Sequence, residues 1–263
     1  MTNHLVMFSG GIASWLTAKR VAAKHGTDTL HLVFADTLME DEDLYRFLDE
    51  AAANVGGTLV RLKGEGTAFE GLDPWGVFEK VRFLGNTRID PCSKNLKRDR
   101  IRQWVEDNFE PATAIIYLGL DWTEEHRLER AMPYWSPWKV EAPLMEKPRL
   151  MKEQMLTIAR MERIKPPRLY DMGFPHNNCG GFCIKAGQAH FQLLLRKMPE
   201  RYAYHEKKEL ALQEKLGKNV TILRDRTGGT TKPLSLRELR LRLECGTPID
   251  EQEWGGCGCF VDS

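Results

Sequence analysis

Three groups of residues have types and spacings that could do chemistry. Near the N-terminus, Ser9, Gly10, Gly11, Ile12, Ala13 and Ser14 follow a short apolar run, residues 4–8, and precede a helix-forming run, residues 15–24. Strand, glycine turn and helix in that order aim backbone N–H groups at an anion. Gly10 and Gly11 tolerate positive φ and admit a phosphate close to the main chain. Ser9 and Ser14 add hydroxyl donors, and the helix start adds partial positive charge. No Gly-Lys-Ser/Thr closes the loop, and it is not Gly-x-Gly-x-x-Gly. A glycine turn with no ligand is the plainer alternative. The second group is Cys179-Gly-Gly-Phe-Cys183. Paired cysteines with glycines between them fold back as a chelate for tetrahedral zinc or an iron–sulfur cluster, although two sulfurs complete neither. His176 is an optional substitute for a sulfur ligand. The third group is Pro91-Cys92-Ser93 followed by Lys94 and Lys97, a thiol and two cations near a helix start, where a thiolate is favoured. A solvated helix face accounts for the two lysines equally well.

These groups need a scaffold, and hydrophobic periodicity supplies one. Residues 29–35 read as a second strand ending in Asp36-Thr37. Acidic residues 40–43 then open a helix over 44–55 with charge suited to its dipole. Residues 58–62 read as a third strand and 63–76 as a loop or lid. A helix is expected from about Arg98 to Asn108. Thr-Ala-Ile-Ile-Tyr-Leu at 113–118 is a continuous β-rich run bounded by Pro111 and Gly119, expected to be central, and Asp121, Glu124 and Arg127 follow it into another helix. Residues 132–144 are irregular and aromatic, and 188–215 are strongly helical. The alternation predicts a doubly wound, mostly parallel α/β sheet with a helical, basic C-terminal region. Ligands in such sheets bind at the carboxyl ends of the strands.

The Ser-Gly-Gly-x-x-Ser pattern resembles the PP-loop of the adenine nucleotide α-hydrolase superfamily. The segment ending in Cys179 and Cys183 is similar to the Tyr…Gly…Cys-x-x-Cys of phosphoadenosine phosphosulfate (PAPS) reductase-like proteins, with three residues between the cysteines in place of two. The resemblance implies ATP pyrophosphatase chemistry: ATP and Mg2+ bind, the α–β phosphate bond breaks, and an acceptor is adenylated for sulfur transfer or a related modification. It places residues 9–14, Asp36, Thr37, Gly119 and Glu124 at the nucleotide, with Lys94, Asp121 and Arg127 as catalytic groups. Mg2+ shared with phosphates needs only one or two carboxylates. Residues 140–144 become the closing fifth strand. By the same analogy Cys92 joins Cys179 and Cys183 as a ligand of a [4Fe-4S] cluster or Zn2+, with Cys257 or Cys259 as a fourth; unmetallated thiols are the alternative.

Several departures from the family pattern stand beside this likeness. Ala13 occupies a position where many ATP pyrophosphatases carry Asp, and position 92 lacks the double cysteine of the assimilatory iron–sulfur reductases. An alternative activity implied by the resemblance is PAPS or adenylyl-sulfate reduction through Glu244-Cys245-Gly246, although Thr247 replaces the ending that the reductases share. Another is a catalytically altered nucleotide-binding accessory protein of a mobile element.

Length and charge bound these expectations. A chain of 263 residues can bury a sizeable core, expected as a nucleotide-binding α/β domain over 1–186 and a helical region over 187–263. With 38 basic and 37 acidic residues the net charge is +1, so global charge selects no polyanionic partner. Arg224, Arg226, Lys232, Arg237, Arg240 and Arg242 give the C-terminal third a basic character suited to an RNA or nucleotide partner, or simply to solvated helix faces. No run approaches bilayer length and no signal-peptide pattern opens the chain, which sets the expectation of a cytoplasmic protein without a membrane partner. Its expected partners are ATP and a small-molecule or RNA acceptor, with a homodimer as an option.

Overall fold

Five short runs rich in apolar and β-branched residues form one sheet: β1 (Asn3–Met7), β2 (Leu30–Ala35), β3 (Thr58–Leu62), β4 (Ala114–Tyr117) and β5 (Lys139–Glu141). Their order is β3-β2-β1-β4-β5 and every pair is parallel. The computed structural model describes residues 1–85, 89–226 and 229–256. β1 and β2 are buried along most of their length, as parallel strands covered on both faces must be.

Helices cover both faces. On one, Trp15 and Ala18 of α1 (Ile12–His25) and Phe47, Leu48 and Ala51 of α2 (Glu42–Val55) pack on Val6, Leu32 and Phe34, joined by Met155 and Ala159 from the later helix 152–161. α2 starts where Asp41 accepts the Asp43 N–H (3.0 Å) and stops at Gly56, which is left-handed. After α3 (Pro74–Val81) comes α4 (Pro91–Ser93), which runs through one π-turn, Lys94–Arg98, into α5 (Asp99–Asn108). Ile101 and Val105 of α5 and Trp135 of α6 (Glu125–Trp135) cover the opposite face over Leu5, Val33 and Ile116. Then follow α7 (Lys152–Met161), α8 (Arg168–Asp171), α9 (Gln188–Lys197), α10 (Pro199–Leu216), a hairpin of β6 (Leu223–Asp225) and β7 (Lys232–Leu234), and α11 (Leu236–Glu244). A third core lies beneath these last helices and takes in Trp75 of α3 and Phe182 from the cysteine segment.

The sheet is the doubly wound α/β arrangement that the alternation predicts, with differences of detail. β1 holds the centre and β4 lies beside it. The helical run 188–215 breaks at Met198-Pro199, because proline has no N–H to continue α9 and instead begins α10 as its first residue. The fifth strand ends at Glu141, since Pro143 cannot join a ladder and opens a 3-10 turn. The basic C-terminal third is largely paired internally. Arg240 binds Glu206 and Glu244, Arg242 binds Asp225 and Glu238, and Arg226 binds Glu253. No helix among the described residues is long and apolar enough to cross a membrane.

The chain steps from β1 to β2 and β3 on one side and returns to β4 and β5 on the other. The winding therefore reverses between β1 and β4, where such sheets open a crevice. Val6 pairs with Tyr117 across these strands, so the loops after β1 and β4 leave the sheet at the same height.

Candidate functional site

A cavity of about 390 Å³ opens at that reversal. Its floor is the loop after β1: Ser9, Gly11, Ile12, Ala13 and Ser14 all line it. α1 begins at Gly11 with no cap from that residue and no acid in its first turn, so the positive end of the helix is not neutralised by an acid of its own. Ser14 Oγ donates to Gly11 O (2.8 Å), and Ser9 Oγ lies 3.4 Å from Ser14 Oγ. Tyr170 Oη accepts the Ile12 N–H at 3.2 Å and would stand 3.2 Å from a Cβ built on Gly11. Gly10 takes φ +75° and packs on Leu44, 2.9 Å from where its Cβ would be; it turns the loop and does not line the cavity.

The loop after β4 forms the facing wall. A Cβ on Gly119 would come within 3.0 Å of Ser14 N, 3.1 Å of Ser14 Cα and 3.2 Å of Ala13 C, so the two loops meet backbone to backbone. Asp121 then begins the next turn as a capping box: its Oδ1 accepts from Thr123 N (2.8 Å) and Thr123 Oγ1 (2.6 Å), and its own N–H donates to Glu124 Oε2 (3.2 Å). Arg127 donates to the other Glu124 oxygen. All three residues line the cavity, and Asp121 Oδ2 stands outside these bonds. The residues that could hold a phosphate are the glycine floor and the helix start, and the carboxylate that could share a divalent cation with it is Asp121.

The third wall comes from far along the chain. His176, Asn177 and Asn178 line the cavity, and Asn177 Nδ2 donates to Gly10 O at 3.2 Å, tying this segment to the floor. Lys152, at the start of α7, also lines the cavity and donates to Pro175 O (2.5 Å). His176 stacks on His190 with ring centroids 5.3 Å apart. Burial, reinforced by His190, lowers His176 to about 3, so the ring is neutral at the cavity wall.

The remaining expected residues lie elsewhere. Asp36 is buried behind β2, where its Oδ1 accepts from Leu38 N (2.9 Å) and Tyr45 Oη (2.8 Å). Burial, then Asp36 itself, raises Tyr45 and keeps its phenol a donor. Thr37 donates to Glu40 Oε1 (3.0 Å). Lys94 is exposed on the π-turn, whereas that wide turn brings Lys97 and Arg98 inward. Lys97 meets Glu40 at 3.3 Å, while Arg98 (3.1 Å) and Lys185 (3.2 Å) both meet buried Asp90.

Cys92, Cys179 and Cys183 converge on a second, much smaller cavity of about 20 Å³, which Thr37, Lys97 and Lys185 also line. Cys179 is left-handed at φ 51°, a strained setting for a non-glycine residue, and its N–H donates to Glu40. The space is about that of one water. Among the described residues no group of three or more His, Cys, Asp or Glu is placed to hold a metal ion. Cys257 and Cys259 lie outside the described residues. Cys245 is exposed at the end of α11 and lines neither cavity.

No family model matches the chain. An uncharacterized protein of Methanocaldococcus jannaschii, MJ0066, is 29% identical over 108 residues, 40% of this chain and 20% of that protein. The chain thus spans about a fifth of the length of that relative. A crystal structure of phosphoadenylyl-sulfate (PAPS) reductase from Candida auris, in a phosphate complex, aligns over 65% of this chain and 78% of that one, at 15% identity and a TM-score of 0.45.

Tyr170, Asn177 and Lys152 are site residues that sequence reasoning missed. Tyr170 and Asn177 stand inside the segment singled out for its cysteines. Nothing local in the sequence shows that a residue more than 150 positions away reaches the Ile12 N–H.

Proposed function

We propose that this chain is a nucleotide-dependent enzyme that binds ATP with Mg2+ in the larger cavity and breaks the α–β phosphate bond, transferring AMP to an acceptor. The observation that carries the reading is the backbone contact of Gly119 on the first turn of α1. It sets two glycine-lined loops against an uncapped helix start at the point where the sheet reverses. Peptide N–H groups fixed in that way are preorganised donors for charge that builds on phosphate oxygens in the transition state.

The residues divide by role. Ser9, Gly11 and Ser14 with the first turn of α1 hold a phosphate. Arg127 and Lys152 supply positive charge at the cavity wall. Asp121, with Glu124 behind it, is the place for Mg2+, which when bound neutralises phosphate oxygens. An acceptor oxygen attacks the α-phosphorus, the bond from that phosphorus to the α–β bridging oxygen breaks, and pyrophosphate leaves. Sulfur transfer is the use we propose for the activated acceptor, a small molecule or an RNA, because three thiols line the adjoining cavity. No step is assigned to a metal there.

Incubation with Mg-ATP followed by nucleotide chromatography tests the reading. AMP and pyrophosphate are the expected products. ADP as the main product, or no nucleotide binding at all, overturns it.

A further inference from the structure

After α11 the chain comes back as a strap, residues 250–256, and closes one side of the larger cavity. Gly255 bridges antiparallel to Ala186. Around it Gly187 N donates to Trp254 O (3.0 Å), Ala189 N to Glu253 O (3.1 Å) and Gly256 N to Lys185 O (3.3 Å). Asp250 N donates to Gln188 Oε1 (3.2 Å), and Arg226 pairs with Glu253. The approach is so close that a Cβ on Gly187 would overlap the backbone of Glu253, and one on Gly255 the backbone of Lys185. The main chain on both sides of Trp254 is therefore fixed.

Its side chain is not consumed by this packing. Trp254 lines the cavity and keeps 42% of its surface exposed. The other rings in that wall are already engaged: Tyr170 at the Ile12 N–H, His176 against His190. A large flat ring on an immobilised backbone, beside a phosphate-sized glycine floor, has the parts needed for a ligand that is anionic at one end and flat and π-rich at the other. Immobilisation of the strap removes much of the entropy cost of stacking.

We propose that Trp254 stacks on the base of the bound nucleotide and so determines that this site takes nucleotides in preference to simple inorganic anions. The inference rests on the nucleotide reading above and adds a specificity-determining residue to it. Every base has a π-face, so Trp254 selects for a base without choosing among bases.

The test is calorimetric titration of the full chain and of Trp254→Ala and Trp254→Phe, each with ATP and with pyrophosphate. Stacking on one base corresponds to an affinity change of about 5- to 150-fold. Trp254→Ala is expected to lose ATP affinity by a factor in that range, to bind pyrophosphate as the parent does, and to regain most of the loss as Trp254→Phe. An ATP affinity within twofold of the parent overturns the inference. Equal loss for ATP and pyrophosphate also overturns it, because Trp254 would then only be holding the strap. If the parent chain binds pyrophosphate but no ATP, or binds neither, the nucleotide reading fails along with it. Loss confined to the variant's ATP binding leaves both standing.

Discussion

Gly119→Ala is the sharpest probe of the cradle. The added methyl meets Ser14 N at 3.0 Å, Ser14 Cα at 3.1 Å and Ala13 C at 3.2 Å. All three are backbone atoms of α1, so no side chain can rotate away. Relief requires the first turn of α1 and the end of β4 to part by a few tenths of an ångström. Overpacking of this kind costs about 1–3 kcal/mol. In a chain of 263 residues that is a fall in Tm of about 2–12 °C. The effect on the ligand is expected to be larger than on the fold, because the atoms displaced are the proposed phosphate donors; a misplacement of about 1 Å at a reacting centre costs on the order of 100-fold. Thermal denaturation and ATP titration of the same sample separate the two, and at least a tenfold loss of ATP affinity is expected in a protein that still unfolds cooperatively. Parental affinity together with parental Tm refutes the claim that the two loops are in contact and that the contact shapes the site.

Two further perturbations test other parts of the structure. Lys97→Ala strips the buried Glu40 carboxylate of its cation and should cost about 3–5 kcal/mol in urea unfolding, while Lys97→Met combined with Glu40→Gln recovers most of it; a loss under about 1 kcal/mol for the alanine variant contradicts the pair. His176 is lowered to about 3 by burial, so between its ordinary value of 6.5 and that point the unfolded chain takes up a proton that the folded one refuses. Stability is therefore lost as pH falls below 6.5, and His176→Asn should narrow the gap between urea midpoints at neutral pH and near pH 5, with His4, His31, His190 and His205, all also lowered, contributing to the remainder. An unchanged gap removes His176 from the acid response.

What the sequence revealed was local or periodic. The floor at residues 9–14 is six consecutive residues from the end of a strand into a helix, and Asp121, Glu124 and Arg127 lie within seven residues, so their placement together needs no long-range knowledge. The sheet was legible because buried parallel strands are apolar throughout. Lys94 and Lys97 show the opposite case. Which of them turns inward depends on a π-turn whose five-residue hydrogen-bond step shifts the helix face, and the periodicity of an ordinary helix does not contain that shift. Asp36 follows a strand as a binding residue would, yet Tyr45 and the Leu38 N–H consume one of its oxygens. Tyr170, Asn177 and Trp254 reach the cavity only through tertiary packing, and no spacing in the sequence encodes that.

The segment from His176 to Cys179 faces two ways. Its first three residues border the large cavity, and its last borders the small one that gathers the thiols. It is pinned twice, by Asn177 to the Gly10 carbonyl and by the Cys179 N–H to Glu40. Four residues of chain thus act as a party wall. A molecule that pulls Asn177 from Gly10 also moves the peptide beside Cys179, and a change at that thiol reaches back into the cradle with the same free energy, as linkage demands. Filling one room alters the tenancy of the other.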